Sequence, residues 1–169
     1  DDATVVASDV ADKAKQLASS PSQLMGETLG GCRIDKMLGR GAMGAVYKAR
    51  QLKLDRDVAV KVIRPEMMTD ARMLKRFEVE ARTVGKFNSA NVVMVHDVGF
   101  ERGVHFLVME LVRGKNLRDH AKLLAGGRLP VGEALPLLRQ ACKGLEEARR
   151  LGVVHRDIKP DNLMLTERG

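Results

Sequence analysis

The chain of 169 residues is 44% hydrophobic and 30% charged, a composition typical of a soluble globular protein. This length is enough for one ordinary domain, or for one domain and part of a second. The longest apolar stretch, over 104–112, is interrupted by Glu110, so we expect no membrane span within this segment. The two cysteines, Cys32 and Cys142, lack metal-ligand spacing, which argues against a disulfide scaffold and favours a cytoplasmic location.

The net charge of +7 arises from 29 basic and 22 acidic residues and is unevenly distributed. Residues 1–27 are net acidic, so the remainder of the chain is strongly basic. A basic body is compatible with nucleic-acid binding. However, the Lys and Arg residues are scattered, and one Tyr and four Phe are few aromatic rings for stacking on bases. We therefore expect no nucleic-acid partner and, instead, a site for anionic phosphates.

The first half of the chain has the pattern of a small antiparallel sheet. Residues 1–27 are polar and acidic, which predicts a flexible N-terminal tail or linker. Apolar alternation predicts strands over 33–38, 45–52, 58–63, 92–98 and 104–111, and a spacing of three and four predicts a helix over 70–87. We expect a lobe of five antiparallel strands and one helix over residues 28–112.

The second half of the chain has a helical pattern. Residues 116–124 predict a short helix, and residues 133–151 predict a long amphipathic helix whose apolar stripe needs a partner surface. Pro136 would lie near the first turn, where its missing N–H does least damage. The predicted fold class is therefore α+β, with an antiparallel β lobe followed by the first helices of an α-rich lobe over residues 113–169.

A glycine-rich segment separates the first two predicted strands. It reads Gly39, Arg40, Gly41, Ala42, Met43, Gly44, Ala45, Val46. Glycines without Cβ let backbone N–H groups approach phosphate oxygens, although an ordinary hairpin turn would have the same composition. Since the segment joins two strands, it does not fit the dinucleotide-binding version of the motif, which needs a helix N-terminus.

The third predicted strand carries Lys61 among apolar neighbours. An unpaired ammonium there would be costly, so Lys61 needs a carboxylate partner. The predicted helix offers Glu78 and Glu80. We favour Glu80, because it follows Phe77 by three residues on the apolar side of the helix, whereas Glu78 points away.

The most specific pattern is a polar loop of eight residues after the long helix, which reads His155, Arg156, Asp157, Ile158, Lys159, Pro160, Asp161, Asn162. Asp157 can accept a hydroxyl proton, and Lys159 can neutralise charge on a transferring phosphoryl group. Asn162 can offer an oxygen to a hard divalent cation.

In this order, the three patterns resemble the signatures of protein kinases: the glycine-rich loop, the strand lysine with its helix-C acid Glu80, and the catalytic loop. Ile158 stands where Leu is usual, and Lys159 is similar to the serine/threonine branch of the family. The resemblance covers about residues 28–169 and is closest to the bacterial Hanks-type, eukaryotic-like serine/threonine protein kinases.

This resemblance implies a reaction in which the ATP γ-phosphoryl group passes to Ser or Thr hydroxyls of protein substrates, with ATP and Mg²⁺ as cofactors. Lys61, held by Glu80, would position the α- and β-phosphates. Asp157 would take the hydroxyl proton, Lys159 would stabilise the transferring group, and Asn162 would hold one Mg²⁺. By the same resemblance, these would be the catalytic and metal-binding residues.

The resemblance also implies an adenine pocket. Met109 is similar to the family's gatekeeper residue, and the three residues after it would form the hinge that hydrogen-bonds adenine: Glu110, Leu111 and Val112. Four apolar side chains would sandwich the ring: Leu38, Val46, Ala59 and Met164.

The family's D-F-G motif, activation segment and A-P-E motif do not occur in these 169 residues. Since the D-F-G aspartate is the other Mg²⁺ ligand, we expect this chain alone to be inactive. Two alternatives stay open: a nucleotide-binding pseudokinase or scaffold, and a non-functional gene fragment.

Overall fold

A computed structural model describes residues 24–68, 75, 79, 83, 85, 87 and 89–167. The described residues divide into two compact units. The first contains the residues up to 85 together with Val95–Leu111, and the second contains residues 87–94 together with those from Val112 onward. The sequence pattern assigned residues 87–94 to the first lobe, whereas the structure groups them with the second unit.

The first unit is built on a six-stranded antiparallel sheet in the order β1-β2-β3-β4-β6-β5. Its strands are β1 (Thr28–Leu29), β2 (Cys32–Gly41), β3 (Gly44–Gln51), β4 (Arg56–Ile63), β5 (Val95–Glu101) and β6 (Val104–Glu110). The five predicted strands are confirmed, although β5 begins later than predicted. The additional strand β1 has only two residues, too few for an alternating pattern to reveal it.

One face of this sheet carries the hydrophobic core. Val58, Val60 and Val62 of β4 are buried, and the residues that pair with them on β3 are buried as well. The core cluster consists of Leu24, Leu29, Cys32, Ile34, Ala45, Tyr47, Ala49, Val58, Val60, Val62, Val104, Phe106 and Val108. Each fully buried large apolar side chain contributes about 1.5–3 kcal/mol, so this face is the main source of the unit's stability.

Residues 24–27 pack with the sheet, although the sequence pattern assigned them to the tail. Leu24 is buried in the core cluster. The Gly26 N–H donates to the Ile34 carbonyl at 2.9 Å, and the Ile34 N–H donates to the Glu27 carbonyl at 2.8 Å. The Arg102 guanidinium also forms an ion pair with Glu27 at 2.6 Å. This segment therefore extends the ordered edge of the sheet beyond β1.

The helix predicted over 70–87 falls largely outside the described residues. Lys75, Val79 and Thr83 are helical, and Thr83 Oγ1 donates to the Val79 carbonyl at 2.8 Å. The two candidate partners of Lys61, Glu78 and Glu80, lie outside the part of the chain that the structure describes.

The second unit contains a two-stranded ribbon and two helices, namely β7 (Gly114–Asn116), α1 (Leu117–Lys122), α2 (Val131–Arg150) and β8 (Met164–Thr166). Both predicted helices are confirmed. Asn116 caps α1, since its side-chain oxygen accepts from the Asp119 N–H at 2.7 Å. Because α2 begins at Val131, Pro136 lies beyond the first turn, contrary to the prediction, and deprives the helix of one hydrogen bond.

Helix α2 packs through its small residues. Gly144 is buried, and a Cβ atom there would lie 2.7 Å from the Asn91 carbonyl oxygen, so only glycine allows this approach. On the apolar stripe, Leu135 and Leu138 are 59% and 50% exposed. Within the described segments, no helix is both long and apolar enough to cross a membrane.

The turn between β1 and β2 offers a matched pair of glycines for measuring the packing of the core. Gly30 and Gly31 both have positive φ, at 56° and 69°. A Cβ at Gly30 would overlap the buried Phe106 ring, whereas a Cβ at Gly31 would meet no atom within 4 Å. Both alanine variants carry the cost of a left-handed backbone, but only Gly30→Ala must also displace Phe106.

We therefore expect Gly30→Ala to lower the free energy of unfolding by about 1–3 kcal/mol more than Gly31→Ala. Urea unfolding followed by circular dichroism measures both values. Equal losses in the two variants would show that Phe106 does not pack against this turn.

Candidate active site

The glycine-rich segment closes the hairpin between β2 and β3. Gly39 and Gly41 pair with Val46 and Gly44, so the strands continue into the motif, and the turn consists of Ala42 and Met43 alone. A Cβ atom at Gly39 or Gly41 would meet nothing within 4 Å, so the backbone here is accessible. With no side chain in the way, a phosphate group can approach this stretch of backbone closely.

The other predicted residues of this segment lie along the same hairpin. Arg40 pairs with Ala45, and Leu38 lies in the β-bulge between Met37 and Gly39. Leu38 and Met43 are about half exposed, whereas Ala45 belongs to the buried core. Ala45 can therefore contribute only its backbone to a ligand, while Leu38 offers an apolar side chain.

The hairpin is anchored to the end of β4. A Cβ atom at Gly44 would overlap the Val62 carbonyl oxygen, so this position requires glycine. Beyond it, the Arg64 N–H donates to the Met43 carbonyl at 3.1 Å, and Arg64 Nη2 donates to the Gly41 carbonyl at 2.9 Å. Sequence reasoning did not identify Arg64, because a hydrogen bond between residues 23 apart leaves no periodic signal.

Four of the predicted nucleotide-binding residues share the sheet face opposite the core. The β3–β4 register pairs Val46 with Lys61, and the β4–β6 register pairs Ala59 with Met109. Because successive residues of a strand point to opposite faces, these side chains lie opposite Val58, Val60 and Val62. Ala59 is buried and the other three are half-buried. These four residues therefore combine an apolar surface with one lysine, and Lys48, which pairs with Ala59, lies on the same face in an ion pair with Asp57.

Lys61 lies between Val46 and Leu107 in the register of the sheet. The predicted contact with Glu80 stays a prediction, because Glu80 lies outside the described residues. The predicted hinge begins at the exposed end of β6 with Glu110 and continues through the half-buried residues Leu111 and Val112.

In the second unit, the loop after α2 brings two predicted residues, Lys159 and Asn162, to the carboxylate of a third, Asp157. Lys159 Nζ donates to Asp157 Oδ1 at 2.9 Å and to Oδ2 at 2.8 Å. Asn162 Nδ2 donates to the Asp157 carbonyl oxygen at 2.7 Å and to its Oδ2 at 3.0 Å. The Asp157 N–H donates to His155 Nδ1 at 3.3 Å. The loop thus presents a carboxylate, an ammonium and an amide in direct contact.

The backbone of this loop is partly strained and partly regular. Arg156, which precedes the carboxylate, has φ of 63°, a conformation that few non-glycine residues adopt. Pro160–Asn162 then forms one turn of 3₁₀-helix, and the chain enters β8 at Met164, which is 42% exposed and pairs with Asn116. Asn162 is therefore held on a defined turn beside Asp157.

Hydrogen bonds from Lys159, and secondly from Asn162, hold the pKa of the Asp157 carboxyl below its ordinary value of 3.8. Asp157 is therefore ionised at neutral pH and can accept a proton. Its ionised form stabilises the folded loop above the ordinary pKa, and this contribution is lost as the pH falls through the lowered pKa.

The oxygen donors of this loop match only part of a metal site. Within the described residues, no three His, Cys, Asp or Glu side chains lie close enough to hold a metal ion. Asn162 offers one amide oxygen, whereas both carboxylate oxygens of Asp157 already accept hydrogen bonds from Lys159 or Asn162. Mg²⁺ commonly binds proteins through one or two carboxylates and completes its shell with phosphates and water. The donor set therefore fits Mg²⁺ that arrives with a phosphate ligand.

The role of Lys159 can be tested by titration. In Lys159→Met, we expect the pKa of Asp157 to rise toward its ordinary value, because the larger of its two hydrogen-bonding contributions is removed. Lys122→Met is the matched control, since Lys122 Nζ contacts Asp119 at 2.7 Å and not Asp157. Carboxyl ¹³C NMR between pH 2 and 7 follows the titration, roughly spanning the ordinary range of carboxyl groups. Identical Asp157 curves in Lys159→Met and the unmodified chain would contradict the assignment.

Comparison with known proteins gives concordant results. Residues 32–169 match the protein kinase domain family. The chain is 39% identical over 154 residues to the serine/threonine-protein kinase PknA of Mycobacterium tuberculosis, which covers 88% of this chain and 35% of PknA. It is 34% identical over 147 residues to the serine/threonine-protein kinase PrkC of Bacillus subtilis, covering 86% of this chain and 22% of PrkC.

A solved structure has a similar fold. The crystal structure of the Mycobacterium tuberculosis PknI kinase domain superposes with a TM-score of 0.77 at 31% identity, and the match covers 85% of this chain and 58% of that one. The chain thus spans less than two thirds of the length of these relatives. Because the family match extends over most of the chain and the fold agrees with it, the chain belongs to the protein kinase domain family.

Proposed function

We propose that this chain is the ATP-binding and catalytic-loop portion of a serine/threonine protein kinase. The reaction transfers the γ-phosphoryl group of ATP to a Ser or Thr hydroxyl of a protein substrate. The observation that carries this proposal is the contact of Asp157 with Lys159 and Asn162 on one short loop. The family membership and the named relatives support the same reaction. Residues 28–112 would form the nucleotide-binding lobe, and residues 113–169 part of the second lobe.

The sheet face opposite the core is the proposed nucleotide-binding surface. Val46 and Ala59 would contact the adenine ring together with Leu38 and Met164, while 109–112 would supply the gatekeeper and hinge. The accessible backbone of Gly39 and Gly41 supports a role in holding phosphates, and Arg64 would keep this hairpin in place. Lys61 would position the α- and β-phosphates, with Glu80 as its proposed partner.

Asp157 is the proposed catalytic base. Its carboxyl, with a pKa below the ordinary value, is ionised at neutral pH, so it can orient the substrate hydroxyl and accept its proton. Lys159 Nζ contacts both Asp157 oxygens. One oxygen must become available to the hydroxyl, so we infer that Lys159 turns toward the phosphoryl group when ATP binds. Its charge would then stabilise the transferring group.

Asn162 is the proposed protein ligand for Mg²⁺. Its Nδ2 donates to Asp157, which leaves the carbonyl end of the amide to bind a cation. The ion would neutralise charge on the phosphates. The second metal ligand of the family, the D-F-G aspartate, does not occur in these residues.

The proposed location is the cytoplasm, which supplies ATP and keeps Cys32 and Cys142 as the free thiols seen in the structure.

Transfer of radiolabelled phosphate from ATP with Mg²⁺ to a protein substrate tests the proposal. We expect the complete product of the open reading frame to be active, and Asp157→Asn to lower kcat by about 10²–10⁴-fold, because the proton acceptor is lost. Asp55→Asn is the matched control, since it removes an exposed carboxylate in the turn after β3 and leaves a residue that tolerates the positive φ. The 169-residue chain alone should be inactive.

One result would contradict the expected inactivity of the 169-residue chain, and another would contradict the proposed reaction. If the 169-residue chain transfers phosphate and loses this activity when Asp157→Asn is introduced into it, the claim that these residues alone are insufficient for activity is refuted. An inactive complete protein that still binds ATP would favour the nucleotide-binding pseudokinase.

A further inference from the structure

Helix α1 and the strand before it are tied to the catalytic loop at three successive positions. Asn116 of β7 pairs with Met164 of β8. The Leu117 N–H donates to the Leu163 carbonyl at 2.9 Å. Arg118 Nε then contacts Asp161 Oδ1 at 2.7 Å. The first two ties are backbone pairing, whereas the third depends on two specific side chains.

Asp161 occupies the middle of the turn that carries Asn162. The turn Pro160–Asn162 is closed by the Asn162 N–H, which donates to the Lys159 carbonyl at 2.9 Å. The next bonds along the chain are those from Asn162 Nδ2 to Asp157. A change in the orientation of Asp161 therefore moves the residue whose side chain contacts the proposed catalytic base.

The environment of the Asp161 carboxylate explains why the turn needs Arg118. Asp161 Oδ2 is buried and has no hydrogen-bond partner within the described residues. Arg118 is thus the side chain that compensates this carboxylate. Because Arg118 contacts Oδ1, its removal would leave neither oxygen of the carboxylate paired with a cation, at a cost limited by the 36% exposure of the Asp161 side chain. The turn would relieve this cost by rotating Asp161 toward water, and Asn162 would move with it.

We propose that Arg118 and Asp161 are positioning residues, whose ion pair orients the Asn162 side chain toward Asp157. Neither side chain needs to touch the substrate for this role. The effect on phosphoryl transfer rests on the proposed function, whereas the effect on Asn162 is a property of the folded chain alone. The two can therefore be measured separately.

The test uses the side-chain amide signals of Asn162 in ¹⁵N–¹H NMR spectra of the 169-residue chain, without nucleotide. In Arg118→Ala, we expect these signals to move toward the positions of a solvent-exposed asparagine, because the bonds to Asp157 are weakened. Lys122→Ala is the control on the same helix, since Lys122 forms an ion pair of the same length, 2.7 Å, with its helix neighbour Asp119. It should leave the Asn162 signals in place.

Two further variants separate orientation from general damage to the fold. Asp161→Asn keeps the shape of the side chain and removes its charge, so it should reproduce the shift of Arg118→Ala. The exchanged pair Arg118→Asp with Asp161→Arg should restore the Asn162 signals at least in part. If Arg118→Ala fails to fold by circular dichroism, the Asp161→Asn spectrum decides in its place. Unchanged Asn162 signals in a folded Arg118→Ala or Asp161→Asn variant would overturn the proposal.

A kinetic measurement links the pair to the reaction. In the complete active protein, we expect Arg118→Ala to raise the Mg²⁺ concentration for half-maximal rate by up to about fivefold, the effect of an exposed ion pair. Arg118→Lys should recover part of the loss and Lys122→Ala should cause none. If the protein proves inactive, the proposed function fails, and the NMR result still decides the role of Arg118. An unchanged Mg²⁺ dependence would refute the link to metal binding.

Discussion

The alternation of side chains along β4 is the constraint on which the candidate nucleotide surface depends. Val58, Val60 and Val62 are buried on one face, so Ala59 and Lys61 must lie on the other. Slipping the register by one residue would place a lysine in the core and a valine on the ligand face, at a cost of several kcal/mol. Burial of Val58, Val60 and Val62 thereby fixes the face of the sheet on which Lys61 lies.

The conformation of the catalytic loop depends on polar contacts rather than on the burial of apolar side chains. The loop lies in the second unit, has no core of its own, and is organised by hydrogen bonds to Asp157 and by the ties to α1. Such polar contacts are individually weak when exposed, which is why several must act on the same short turn. The same contacts that orient the loop also lower the pKa of Asp157. Local structure and proposed chemistry therefore depend on the same few groups.

Sequence patterns predicted the strands and helices whose apolar residues recur at a regular spacing. The five longer strands and both helices of the second unit followed from spacing, and the His155–Asn162 motif indicated its loop correctly. The strand pairing that extends β2 through Gly41 did not follow, because a glycine-rich segment has no alternation of apolar side chains. The Arg118–Asp161 ion pair did not follow, because it joins residues that are distant in the chain. Leu24 falls in the predicted tail, since two adjacent apolar residues, Leu24 and Met25, between polar ones and glycine carry no period. The Lys61–Glu80 contact stays a prediction.

Methyl NMR tests the central claim, that the sheet face opposite the core binds the nucleotide, most directly. The β4 strand carries methyl groups on both faces, so each face reports separately under identical conditions. On addition of ATP and Mg²⁺ to the chain, the account predicts shifts of the Val46, Ala59 and Met109 methyl signals and constant signals from Val58, Val60 and Val62. Shifts confined to the three valines of the core face, or no shifts at all at saturating ATP, would contradict it.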